Sequence, residues 1–143
     1  MAGVTVRRYG PTKSFEITIP FTRIHGERYP LVPVSFWTIY NDWLTVPLIF
    51  DTGAEPIILK PEYRRLFPPG RQELVGGVGE EQGHTVMATK ANVEFLGRIQ
   101  SCEIVIDKVP KDFAAGIFGR DGFKPYGFGF WETARELYVT LKP

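Results

Sequence analysis

The sequence predicts a mostly β protein assembled from many short strands. Three observations carry that reading. Aromatic residues, which favour a pleated, half-buried surface, make up 14% of the chain. Glycine and proline are frequent but dispersed, as turns between short strands require, and no long stretch has the apolar spacing of a helical bundle. Apolar residues also alternate with polar ones in several segments, placing one face of each toward a core.

Taken in order, the first such segment is 14–19, where Phe15, Ile17 and Ile19 alternate with polar neighbours. Strands are then expected at 31–38, 44–50 and 57–59. Residues 61–67 form the first helical candidate, because Pro61 suits a helix start and Pro68-Pro69-Gly70 would end it. Further strands are expected at 85–95 and 101–106, followed by a helical turn within 121–126. Residues 128–131 and 136–141 complete the pattern as a hairpin.

A length of 143 residues suits a single domain with one real core. The chain shows no internal repeat and no low-complexity linker, so 1–143 reads as one domain, with the first ~25 residues as a possible N-terminal extension. With 17 basic and 16 acidic residues there is no signature of a phosphate-tracking surface or polybasic patch, and nucleic acid is not an expected partner. Cys102 is the only cysteine, which excludes an intrachain disulfide and fits a reducing compartment. No run approaches the ~20 apolar residues of a membrane helix, and the first residues lack a signal-like apolar core. The expected location is therefore cytoplasmic, with no membrane partner.

The most informative segment is Leu48-Ile49-Phe50-Asp51-Thr52-Gly53-Ala54. A carboxylate at the end of an apolar strand suffers desolvation unless something stabilises its charge or keeps it protonated. Gly53 permits a tight turn that aims backbone N–H groups at the acid, and the Thr52 hydroxyl can bond inward to fix the loop. Alone, such a triplet reads as a strand-end Asx turn. Two further segments change that reading: the glycine-rich Val75-Gly76-Gly77-Val78-Gly79, and Gly116-Ile117-Phe118-Gly119-Arg120-Asp121.

In this order and at this spacing, the three segments resemble the aspartic proteases, specifically the single-domain, retroviral-protease-like (retropepsin-like) branch. The resemblance covers roughly residues 46–141. It implies a closed, mostly β acid-protease barrel with a flap hairpin and one or two short helices, and an active site at a homodimer interface. Since the chain holds a single Asp-Thr-Gly triplet, a two-aspartate site requires two copies.

The resemblance also implies the chemistry. Asp51 from each subunit would share one proton over a broad pH range, because two adjacent carboxylates resist ionising together. One would act as general base on a water held between them while the other protonates or hydrogen-bonds the peptide carbonyl oxygen, with no metal, cofactor or covalent intermediate. Asp51, Thr52 and Gly53 are the expected catalytic group, with Thr52 bonding across the subunit boundary. Ala54, Glu55, Ile58, Gly76, Gly77, Val78, Gly79 and Ile117 are expected to contact an extended peptide substrate; the glycines leave room for its backbone. Arg120 and Asp121 are expected as structural support, with Arg120 paired to Glu55.

Two positions depart from the family pattern. Ile57 stands where Thr or Ser is usual, and Glu80 replaces the second glycine after Val78; the hairpin tip can also be drawn toward Glu80-Glu81-Gln82-Gly83. These departures keep open an alternative, a catalytically weak or inactive retropepsin-like dimerisation or peptide-binding module. A monomeric β-barrel matching the motifs by chance is a third reading. His25, His84 and Cys102 are scattered without metal-ligand spacing, so no metal site is expected. Phe123, Tyr126, Phe128, Phe130 and Trp131 lack basic interleaving and read as core or interface.

Overall fold

The computed structural model of the protein describes residues 5–9, 14–75, 83–131 and 135–141. These form thirteen strands, a short 3-10 helix and one α-helical turn. The chain divides into two compact units, one comprising residues up to Val32 together with Phe123 onward, the other Pro33–Gly122.

The first unit contains a four-stranded sheet in the order β1 (Thr5–Tyr9), β2 (Ser14–Pro20), β13 (Glu136–Leu141), β12 (Tyr126–Trp131). All its pairings are antiparallel; Ile17 faces Val139 and Ile19 faces Leu137, four side chains that are all buried. The stretch read as a possible extension thus pairs with the C-terminal strands through β2. A small hairpin, β3 (Thr22–Ile24) with β4 (Glu27–Tyr29), was not apparent in the sequence. His25 and Gly26 both take positive φ, 51° and 82°, as a two-residue type I′ turn demands.

The second unit is a seven-stranded sheet in the order β10-β7-β11-β6-β5-β9-β8. Here β5 is Leu31–Trp37, β6 Trp43–Phe50, β7 Ile57–Leu59, β8 Arg71–Val75, β9 His84–Phe95, β10 Arg98–Ile106 and β11 Gly116–Phe118. Because β10 also pairs along β9, from Arg98↔Phe95 to Ile106↔Met87, the sheet closes on itself. Alternation explains its core: Val46, Leu48 and Phe50 of β6 are buried in turn. Phe118 is fully buried, with its ring 4.8 Å from that of Phe95 and 6.2 Å from that of Phe50. Such a large apolar side chain contributes about 1.5–3 kcal/mol by burial alone.

The segment expected as a helix at 61–67 is the 3-10 helix Pro61–Leu66, with proline in its first turn. The expected turn after Gly119 is α1 (Arg120–Phe123). At the foot of the β8–β9 hairpin, Arg71 on β8 bonds to Glu103 on β10 at 2.7 Å and also to Glu73. Those two carboxylates, Glu103 first, raise the guanidinium pKa above its ordinary value. Arg71 is exposed and both carboxylates are partly exposed, so solvent screening leaves the cluster little effect on stability.

Candidate active site

Asp51 stands immediately beyond the last residue of β6, and its position is set by an interlock of three short strands. β11 lies between β6 and β7, parallel to the first and antiparallel to the second. The β6–β11 ladder continues one step past the strand, with the Asp51 N–H donating to the Phe118 carbonyl at 3.1 Å. β11 must lie very close to β7: a Cβ on Gly116 would sit 1.8 Å from the Ile58 carbonyl oxygen, so only glycine fits.

The loop after Asp51 is clamped by the segment after β11. Arg120 N–H donates to the Ala54 carbonyl at 2.9 Å, and Asp121 N–H to the Glu55 carbonyl at 2.8 Å. Gly119 allows this approach, since a Cβ there would lie 2.1 Å from the Pro56 oxygen and 2.9 Å from those of Ala54 and Glu55. The two segments identified separately in the sequence, Asp51 to Glu55 and Gly116 to Asp121, are therefore one structural unit joined through the backbone.

Within that unit the Gly53 N–H donates to Asp51 Oδ1 at 2.8 Å, the turn expected from the triplet. Asp51 is half-buried, while Thr52 and Gly53 are exposed. Among the described residues the Thr52 hydroxyl has no hydrogen-bond partner, so the inward bond anticipated from sequence is not made. Nor do the side chains of Glu55 and Arg120 form an ion pair; both are exposed, and the backbone bonds do the joining instead.

Ile58 and Ile117 face one another across β7 and β11, and Ile117 faces Ile49 across β11 and β6. All three are half-buried while their strand neighbours Leu48, Phe50, Ile57 and Phe118 are buried. They form an apolar row on the face away from the core. Asp51 follows Ile49 by two positions, which in an extended backbone directs both to the same face. Ile49 was not singled out in the sequence, because its place in the row depends on the parallel register of β11. Ile57, the departure from the family pattern, is fully buried and packs in the core.

Gly76, Gly77, Val78 and Gly79, and with them Glu80, lie outside the described residues. The strands that precede and follow them in sequence, β8 and β9, pair antiparallel, with Val75 opposite His84 as the last described pair. Among the described residues no group of three or more His, Cys, Asp or Glu is placed to hold a metal ion, and no helix is long and apolar enough to cross a membrane.

No family model and no curated protein matches the chain. Solved structures do. EIAV protease complexed with the inhibitor HBY-793 is similar at 22% sequence identity and a TM-score of 0.50, over 72% of this chain and 92% of that one. A retropepsin-like aspartic protease from Rickettsia conorii is similar at 16% identity and a TM-score of 0.59, over 99% of this chain and 96% of that one. The mostly β architecture, with Asp51 at the end of an interlocked strand, has the retropepsin-like aspartic protease fold.

Proposed function

We propose that the protein is an aspartic endopeptidase, active as a homodimer, in which residues 1–143 act as one retropepsin-like domain. The observation that carries this reading is the Asp51 carboxylate, oriented by the Gly53 amide and fixed by the β6–β11 interlock, beside exposed Thr52 and Gly53. A single chain provides one such acid. Pairing two chains through these exposed triplets would create the two-carboxylate site that water activation needs.

In the paired state the two Asp51 side chains titrate as a unit and share one proton. The ionised carboxylate takes a proton from the bound water as its oxygen attacks the peptide carbonyl carbon. The protonated partner donates its hydrogen to the carbonyl oxygen, giving a neutral tetrahedral intermediate. Collapse breaks the C–N bond as the nitrogen acquires a proton, which leaves a carboxylic acid and an amine. The apolar row of Ile49, Ile58 and Ile117 suits bulky apolar side chains next to the scissile bond. Ala54, Glu55 and the Gly76, Gly77, Val78 and Gly79 segment would contact the extended peptide backbone.

The test is incubation with a diverse peptide library from acidic to neutral pH, beside Asp51→Asn. Cleavage is expected to vanish in the variant while dimerisation survives. Equal cleavage by both proteins would refute the assignment, and no cleavage by either would favour the binding-module alternative.

A further inference from the structure

A second potential site lies in the same unit, where β9 and β10 part. Their antiparallel register ends at Ile106↔Met87. The next residue, Asp107, sends its N–H to the Leu59 carbonyl at 3.0 Å, extending the pairing of β10 with β7. The gap opens into a cavity of about 680 Å³, lined by Pro61 and Arg64 of the 3-10 helix, by the start of β9 including His84 and Thr85, and by Asp107 and Lys108. That volume falls within the range of about 300–1,000 Å³ typical of small-molecule sites.

Its charges are unevenly satisfied. Asp107, the one carboxylate among the described residues of the lining, is bound to His84 Nε2 at 2.8 Å through Oδ2 and accepts the Lys108 N–H at 2.7 Å through Oδ1. The cations have no such partners: among the described residues neither the Arg64 guanidinium nor the Lys108 ammonium forms an ion pair, and both residues are exposed. The described residues of the cavity therefore offer two cationic donors outside any ion pair and a Thr85 hydroxyl, while the Asp107 carboxylate is already occupied. Guanidinium and ammonium groups so placed match the oxygens of carboxylate or phosphate.

We propose that this cavity binds a small multivalent anion, bearing carboxylate or phosphate groups, between Arg64 and Lys108. Asp51 does not line this cavity. Its lining gives a bound ligand direct contact with the first residues of β9.

Calorimetric titration of the full chain at low ionic strength with citrate, and separately with inorganic tripolyphosphate, tests this. Saturable binding of one molecule per chain is expected for at least one probe, and the probe that binds tells carboxylate from phosphate. Arg64→Gln and Lys108→Gln should each weaken that binding about tenfold, whereas Lys90→Gln, an exposed cation outside the cavity, should leave it unchanged. Amide shift mapping on the unsubstituted protein locates the bound probe without relying on variants: shifts should concentrate at 84–87 and 106–108. No saturable binding of either probe, equal weakening by Lys90→Gln, or shifts spread over all basic surfaces would overturn the proposal.

Discussion

Replacing Gly119 with alanine tests the interlock that positions Asp51. The new Cβ would begin 2.1 Å from the Pro56 carbonyl oxygen, and the two other near contacts, at 2.9 Å, are also backbone oxygens of the loop. None of these is the free end of a flexible side chain, so relief requires a backbone shift of about 1 Å or more to restore van der Waals separation. Such a shift stretches the Arg120-to-Ala54 and Asp121-to-Glu55 bonds. Losing two backbone hydrogen bonds at about 0.5–1.5 kcal/mol each, plus residual strain, places the destabilisation at roughly 2–4 kcal/mol. Urea unfolding at fixed protein concentration reads the effect as a lower midpoint with an unchanged slope. Any proteolytic activity should fall further than the folded fraction does, because the loop bearing Asp51 has moved. A variant within about 0.5 kcal/mol of the parent would refute the view that this close approach is what holds the loop.

Two other substitutions probe separate links. Phe118→Ala empties a fully buried site against Phe50 and Phe95, and should cost about 3–5 kcal/mol in the same unfolding assay. Thr52→Ala removes a hydroxyl that is exposed and unpartnered within the described residues, so chain stability should hold within about 0.5 kcal/mol. If that hydroxyl bonds across a dimer boundary, sedimentation should show the dimer dissociation constant rising about tenfold.

The sequence was most legible where one face of a strand is buried. The expected strands at 57–59 and 136–141 coincide with β7 and β13, because Ile57 and Leu59 in one and Leu137 and Val139 in the other alternate inward. Strands without that contrast escaped. β8, Arg-Gln-Glu-Leu-Val, has no buried residue and is held by pairing with β9, so its composition carried no core signal. β11 spans just three residues, visible as part of a motif but not as a strand. The β3–β4 hairpin turns on His25-Gly26, where histidine occupies a position that Asn or Asp usually advertises.

At the candidate site, the sequence drew attention to Asp51 and to the Gly116 to Asp121 segment but not to how they meet. The expected Glu55–Arg120 ion pair followed from the resemblance to retropepsin-like proteases. The structure joins the same segments through the N–H groups of Arg120 and Asp121, which side-chain identity cannot reveal. The row of Ile49, Ile58 and Ile117 likewise depends on β11 running parallel to β6 and antiparallel to β7, a tertiary arrangement with no local pattern.

The central claim, that two chains each contribute one Asp51, is tested most directly by mixing. Parent protein and Asp51→Asn are combined in varying ratio at fixed total concentration, above the dimer dissociation constant and after subunit exchange, and peptide cleavage is measured. If both acids of a pair are required, activity follows the square of the parent fraction, so an equal mixture retains about one quarter of full activity. A linear decline, with about one half remaining, would contradict the shared site.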